Sequence, residues 1–262
     1  MSSASVNQLF SQAQDSGDLS ADAAHALQII DVGAQIQGAL GVDVNDVQAS
    51  EVVLVTIMPD DSGSIRMAGN SQIIRDGHNM ILDALGNSKQ SGGILAHCRY
   101  LNGSVLYTYC PLNQAVKMDS SNYDPREGTP LYDESIILLG TVLAKTIELE
   151  NSGIFVRTVT LIISDGADQG SRKASPAMVK SVVDNMLMRE KHIVGAMGID
   201  DGHTDFEQVF MDMGIRKEWI LTSGNNEKEV RKAFNVVSNS AVRASQNAAS
   251  FSKTALGGFA GN

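Results

Sequence analysis

Five oxygen-bearing side chains, in three separate stretches of this sequence, have the types and spacing to hold a hard divalent cation. Asp60, Ser62 and Ser64 alternate through Asp60-Asp61-Ser62-Gly63-Ser64; Thr129 stands in Gly128-Thr129-Pro130, and Asp165 in Ser164-Asp165-Gly166. Carboxylates, hydroxyls and water suit Mg²⁺ or Mn²⁺, and Mg²⁺ takes six oxygens at ~2.0–2.1 Å. Two Asp and three hydroxyls supply five candidate oxygens, some of them acting through water. Alternate side chains of a tight loop point to one side, and Gly63 eases that turn. Two carboxylates just neutralise a 2+ ion, so it stays electrophilic towards an acidic ligand from outside.

The elements that must position these residues are legible around them. Val52–Met58 is continuous, apolar and β-branched, which reads as a strand buried on both faces. Val156–Ser164 reads the same way and ends at Asp165. Thr129-Pro130 opens a helix over 131–150, with Pro in its first turn. Further helices are expected at about 66–86 (Ile74, Ile81 and Leu85 inward), through Val179–Met186, around Phe206–Met213 and from Val230. His192–Ile199 and Glu218–Thr222 complete the strands. Gly93–Leu101 and Ser104–Pro111 flank Asn102-Gly103, a two-residue hairpin signal. Pairs summing to 205 then set Cys98 against Tyr107 and Cys110 against Leu95, too far apart for a disulfide, which fits a reducing compartment.

Strands alternating with helices imply a doubly wound α/β fold. The sheet is expected to be six-stranded and mostly parallel, with one antiparallel edge strand and helices on both faces. Ligands of such sheets bind beyond the carboxyl ends of the strands. The Asp60 and Asp165 stretches follow strands, and Thr129 lies in the loop entering the helix between them. If the two strands are neighbours, the three loops converge on one crevice. Residues 1–19 are polar and read as mobile. Residues 20–50 read as a helical extension, capped by Ser20, with Ile29, Val32, Ile36 and Leu40 on one face. The domain proper spans 51–238, and 239–262 reads as a helix end with a flexible tail.

The three stretches, extended to Gly128-Thr129-Pro130-Leu131-Tyr132-Asp133, resemble the von Willebrand factor A (vWA) domain and its metal-ion-dependent adhesion site (MIDAS). The resemblance covers about residues 51–238 in order and spacing. It implies Ser62, Ser64 and Thr129 as ligands, with Asp60 and Asp165 binding directly or through water. It further implies a non-enzymatic module whose metal coordinates an Asp or Glu of a protein partner. Free-standing bacterial intracellular relatives add one candidate partner, a AAA+ ATPase of the MoxR kind, and a candidate moving part, the segment Asn226–Ser250. Pro59, in place of an apolar residue, and Asp61, an added charge, depart from the pattern without removing a ligand.

Blander readings exist for each residue. Asp60-Asp61-Ser62-Gly63-Ser64 taken alone is a turn with a helix cap, Thr129 an N-cap and Asp165-Gly166 a turn. Asp61, Arg66, Asn70, Asp124, Arg126, Glu127 and Asp168 read as solvated rim. His25, His78, His97, His192 and His203 lack ligand spacing and read as structural or surface, and Met178–Met188 as core filler. No phosphate loop, dinucleotide fingerprint or nucleophile elbow occurs. A phosphoester hydrolase with an Asp after its first strand would want a second Asp where Ser62 stands. A structural, self-assembling subunit with a vestigial site is the other alternative. The net charge of −10 and the lack of a Lys/Arg run argue against nucleic acid and anionic lipid. With no apolar leader or spanning stretch, the expectation is a cytoplasmic protein.

Overall fold

The structure is a computed structural model, and it describes residues 3–29, 33–89, 91–246, 251 and 257–259. Its centre is β1 (Glu51–Pro59), the β-branched run expected from the sequence, with every residue after Glu51 buried. The other strands are β2 (Ile94–Arg99), β3 (Val105–Pro111), β4 (Phe155–Ser164), β5 (His192–Ile199) and β6 (Ile220–Ser223). They form one six-stranded sheet in the order β3-β2-β1-β4-β5-β6. Only β2 and β3 pair antiparallel, which places the antiparallel strand at an edge. β1 is paired with β2 on one side and β4 on the other, both parallel. The chain thus leaves β1 one way and returns on its other side, making the carboxyl ends of β1 and β4 the switch point.

The helices are α1 (Ser3–Asp15), α2 (Ala21–Ile29), α3 (Gly33–Ala39), α4 (Gly63–Met67), α5 (Ser71–Gly86), α6 (Leu131–Glu150), α7 (Pro176–Met188), α8 (Phe206–Asp212) and α9 (Glu227–Gln246). α5 and α9 pack together on one sheet face, and α6 and α7 on the other. α6 is the most enclosed helix, buried along nearly its whole length, because α1, α2 and α3 cover its outer side. No helix among the described residues is long and apolar enough to cross a membrane.

Several local expectations differ from the structure. Residues 1–19 are not simply a loose polar leader: Val6, Leu9, Phe10 and Ala13, at i, i+3, i+4 and i+7, bury one face of α1. Ser20 does cap, its hydroxyl accepting from the Ala23 amide at 3.2 Å, and the described residues of the expected helix are α2 and α3. The expected inward Val32 lies outside the described residues, as does the side chain of Ile29. Asn185 on α7 fastens this region, accepting from the Ser20 amide at 2.7 Å and donating to the Asp18 carbonyl at 3.2 Å.

The helix expected over 66–86 is two helices. Gly69 adopts φ +77 between them, a left-handed conformation that ends α4. At the carboxyl end of the chain, the boundary at 238 falls inside α9, whose Ser238, Ala241 and Ala244 are buried. Phe251 and Phe259 are buried too, so the described part of the expected flexible tail is docked. Phe259 sets its ring edge-on against Trp219, centroids 5.1 Å apart, and donates its amide to the Glu218 carbonyl at 2.8 Å.

The hairpin register holds at Cys98↔Tyr107 and then shifts, so that Cys110 pairs with Ala96 and not Leu95. Its connection is longer than two residues: the Tyr100 amide bonds the Ser104 carbonyl at 2.7 Å, leaving Leu101, Asn102 and Gly103 in the loop. Both cysteines are free. The outer edge of β3 receives the Val42 amide, which donates to the Tyr109 carbonyl at 2.8 Å.

Candidate functional site

β1 and β4 are neighbours in register, Pro59 opposite Ile163, so Asp60 and Asp165 emerge side by side from the same end of the sheet. The Asp60 amide continues the ladder to the Ile163 carbonyl at 2.9 Å. The third stretch is brought in by a short parallel bridge, Ser62↔Glu127. There the Gly63 amide bonds the Glu127 carbonyl at 3.0 Å, and the Arg126 amide bonds the Asp61 carbonyl at 2.9 Å. Thr129 follows two residues later, its own carbonyl accepting from Gln169 at 2.9 Å in the loop beyond Asp165. Asp133 secures that loop by accepting from the amides of Arg172, Lys173 and Ala174. All three stretches therefore converge on one place.

Four of the five expected residues touch. Ser62 Oγ lies 2.8 Å from Ser64 Oγ, and both hydroxyls donate to Asp165 Oδ1, at 3.2 Å and 2.8 Å. Asp60 accepts from the Ser62 amide at 2.7 Å, the Ser164 hydroxyl at 2.8 Å and the Asp165 amide at 3.3 Å. Three bonds leave the Asp60 carboxylate little freedom, so it orients the Ser62 and Asp165 loops from beneath. Thr129 is 5% exposed, and its hydroxyl has no hydrogen-bond partner among the described residues.

The capping explanations fail against this geometry. Ser62 occupies the N-cap position of α4, yet its side chain makes no cap bond and turns to Ser64 and Asp165 instead. The start of α6 has no side-chain cap at all, which leaves the Thr129 hydroxyl uncommitted.

The electrostatics carry the same implication. Burial raises the carboxyl of Asp60 above its usual range. Burial, then the neighbouring Asp60, raise that of Asp165 to about 6. No Lys, Arg or His among the described residues pairs with either carboxylate. Two adjacent buried carboxylates without a basic partner are unfavourable in their charged form, and either a proton or a cation relieves them. Among the described residues no group of three or more His, Cys, Asp or Glu side chains could hold a metal. The donors here are two carboxylates and three hydroxyls, an all-oxygen set that fits Mg²⁺ or Mn²⁺ and lacks the thiolate or imidazole of a structural zinc site.

Three further residues build the site without having been singled out for it. Asp61, expected on the solvated rim, is 4% exposed. Its carboxylate accepts the Asn102 amide at 3.0 Å and so ties the β2–β3 hairpin to the loop. Burial first, with Asp60 and Glu127 nearby, raises its carboxyl to about 7. The Tyr123 hydroxyl donates to the Asp60 carbonyl from full burial, and Ser164 orients Asp60 as described. Tyr123 had a signal in the sequence, being the one aromatic in the polar run Asp119–Gly128; Ser164 and Asp61 had none. Asn70, also expected on the rim, is 4% exposed and donates to Asn225 at 2.5 Å. Arg66, Asp124, Arg126 and Glu127 are exposed as expected, and Asp168 is half-buried, accepting from Ser171 at 2.5 Å.

His78, His97 and His192 are buried and make no hydrogen bond to these loops, being bonded to Tyr107 through its hydroxyl, to the Tyr107 carbonyl and to Thr158, respectively. Burial depresses them to about 4, 3 and 3, so all three are neutral structural groups.

No protein-family model matches the chain, and no curated protein matches it. Solved structures do. Proximal thread matrix protein 1 from the mussel byssus, in a form with a zinc-occupied MIDAS motif, is 16% identical over 75% of this chain and 47% of that one, with a TM-score of 0.50. The pilus adhesin SpaC from Lactobacillus rhamnosus GG is 12% identical over 74% of this chain and 31% of that one, with a TM-score of 0.54. The VWA domain of SpRpn10 is 12% identical over 70% of this chain and 94% of that one, with a TM-score of 0.49. The chain spans less than half the length of the first two proteins. At these identities the likeness is one of fold: a vWA-like α/β sheet with an antiparallel edge strand and helices on both faces.

Proposed function

We propose that this chain is a non-enzymatic, metal-dependent protein-binding module. Ser62, Ser64 and Thr129 would hold Mg²⁺, with Mn²⁺ as an alternative, and Asp60 and Asp165 would bind it directly or through water. When bound, the ion supplies an electrophilic position for a carboxylate from outside, an Asp or Glu presented by a protein partner. Asp60 orients the Ser62 and Asp165 loops, Tyr123 and Asp61 fix the backbone beneath them, and Thr129 contributes the uncommitted hydroxyl. The observation that carries the reading is the pair of buried carboxylates joined through Ser62 and Ser64 with no basic partner. The zinc-occupied motif of the mussel protein supports a divalent ion at such a site in this fold. The partner we favour is a AAA+ ATPase of the MoxR kind, with the chain acting in the cytoplasm as its adaptor.

Two measurements test this. Mg²⁺ and Mn²⁺ titrated calorimetrically into EDTA-stripped protein should bind saturably to the wild type and not to a Ser62→Ala/Ser64→Ala variant. A purified MoxR-type ATPase should be retained on immobilised wild type in Mg²⁺, released by EDTA, and ignored by Asp60→Ala. Retention that survives EDTA would point to a structural role with a vestigial site, and Mg²⁺-dependent turnover of a phosphoester, lost in Asp60→Ala, to a hydrolase.

A further inference from the structure

Thr129 enters α6 from a loop, and the first turn of that helix is tied on both sides by two consecutive acids. Asp133 accepts the Arg172, Lys173 and Ala174 amides at 2.9, 3.1 and 2.6 Å, which fixes the stretch beyond Asp165. Glu134 serves the other side, the β2–β3 loop. Its Oε2 accepts from Arg99 Nη2 at 3.0 Å, and a Cβ on Gly103 would come within 3.1 Å of its Oε1. Arg99 is the last residue of β2, which runs parallel to β1 and so ends on the same side of the sheet as Asp60. The same Nη2 donates to the Gly103 carbonyl and to Gln35 Oε1 of α3, each at 3.2 Å. Next to Gly103 stands Asn102, whose amide bonds the Asp61 carboxylate at 3.0 Å. An unbroken connection therefore runs from the Asp61 loop through Asn102, Gly103 and Arg99 to Glu134, one turn into the helix that Thr129 precedes.

Stability is a weak account of this pair. Arg99 is 1% exposed and Glu134 8%. Arg99 Nε and Nη1 are buried without a hydrogen-bond partner among the described residues. A buried ion pair recovers little more than its desolvation cost, and apolar residues of similar volume often serve stability as well or better. What a charge-assisted bond does supply is geometry, since it holds the two elements that carry it at one separation. We propose that Arg99 and Glu134 are positioning residues for the metal site: the pair sets the start of α6, and Thr129 with it, against the loop that carries Asp60, Ser62 and Ser64. This rests on the metal-dependent reading above and adds to it two residues that hydrogen-bond none of the five candidate ligands. Groups that orient metal ligands from behind change affinity by about 10–100-fold, and this pair, acting one step further back, belongs at about tenfold.

The test uses the full chain, stripped with EDTA, with Mg²⁺ affinity read by calorimetry and stability by urea unfolding. Arg99→Met/Glu134→Leu removes both charges at once, so no ion is left buried alone and the fold is retained. Gly258→Ala, which strains the tail against the Glu218 carbonyl, is the control that lowers stability elsewhere. The paired variant should bind Mg²⁺ about tenfold more weakly than the wild type. Gly258→Ala should bind it with wild-type affinity, even where it is the less stable protein. Wild-type affinity in the paired variant would overturn the proposal. An equal loss in Gly258→Ala would overturn it too, because affinity would then follow stability alone. A second measurement needs no substitution. Coupling is reciprocal, so a metal held through this pair must steady the pair in return. In the wild type, saturating Mg²⁺ should slow solvent exchange of the Arg99 Nε proton about threefold, followed by NMR. An Arg99 signal indifferent to Mg²⁺, in protein that binds the ion, would sink the proposal and leave the metal reading standing. If the wild type binds no Mg²⁺, the metal reading itself falls and this inference with it.

Discussion

Replacing Asp165 by Asn should raise the stability of the metal-free protein at pH 8 and, in the same step, abolish its response to Mg²⁺. In the folded chain the Asp165 carboxyl is raised from 3.8 to about 6, first by burial and then by the charge of Asp60. A carboxyl whose folded value lies above its unfolded one contributes stability that is fully present below pH 3.8. That contribution is lost as the pH rises through about 6. About two units at ~1.4 kcal/mol each make the deficit at pH 8 about 3 kcal/mol at most, and residual solvent screening reduces it to about 1–3 kcal/mol. Asn keeps an oxygen where Asp165 Oδ1 accepts from Ser62 and Ser64, so the hydroxyl contacts survive while the charge is removed. For a chain of this size about 2–4 °C of melting temperature accompanies each kcal/mol. Thermal unfolding in EDTA at pH 8 should therefore show the variant melting roughly 2–12 °C higher. Lowering the pH to 5 should shrink that advantage as the wild type takes up its proton. In Mg²⁺ at ten times its dissociation constant the wild type gains about 1.4 kcal/mol and the variant gains nothing. A variant that melts at or below the wild type in EDTA would refute the electrostatic argument. A variant that still responds to Mg²⁺ would refute Asp165 as part of the site.

Other outcomes follow from the packing. A Cβ on Gly258, at φ +62, would lie 2.1 Å from the Glu218 carbonyl oxygen, whereas one on Gly257 would meet nothing within 4 Å. Gly258→Ala should cost about 1–3 kcal/mol in urea unfolding, and Gly257→Ala close to nothing. Phe259→Ala should remove the ring packed on Trp219, the only tryptophan, lower stability by about 3 kcal/mol and shift tryptophan emission to longer wavelength; unchanged emission would contradict the docked tail. Glu134→Gln would leave the buried Arg99 guanidinium, now 3.0 Å from its carboxylate, without a counter-charge, and should cost about 3–5 kcal/mol by chemical denaturation.

The strands and long helices were readable because each is specified locally. β1, β4 and β5 are β-branched runs buried on both faces, and α6 begins right after Thr129-Pro130, as the sequence predicts. That the Asp60 and Asp165 stretches meet was readable because both follow strands, β1 and β4, that are neighbours in the sheet. What escaped reading depended on partners distant in sequence. Asp61 looks like a surface acid until the hairpin loop, about forty residues on, lends it the Asn102 amide. The same bond, with the Leu101 amide donating to the Pro59 carbonyl at 3.2 Å, explains why that loop is not the two-residue turn Asn-Gly suggests. Its amides are committed to the loop that follows β1. α1 had a signal, the Val6, Leu9, Phe10 and Ala13 stripe, hidden by polar residues on its exposed face. The division of the helix over 66–86 at Gly69 rests on a single left-handed residue, which composition does not reveal.

The N-terminal helices also bear on how the chain is made. α1 and α2 leave the ribosome before α6 and α7, which supply much of the surface that receives them. The contact closing this arrangement, the Ser20 amide to Asn185, joins residues 165 positions apart. At roughly 5–20 residues per second, that interval is about ten to thirty seconds before the faces of α1 and α2 that pack on α6 and α7 are all covered. Until then α1 has only α2 and α3 to pack on. The polar residues that disguise α1 in the sequence would then serve the nascent chain, keeping an early helix soluble until the body it belongs to exists.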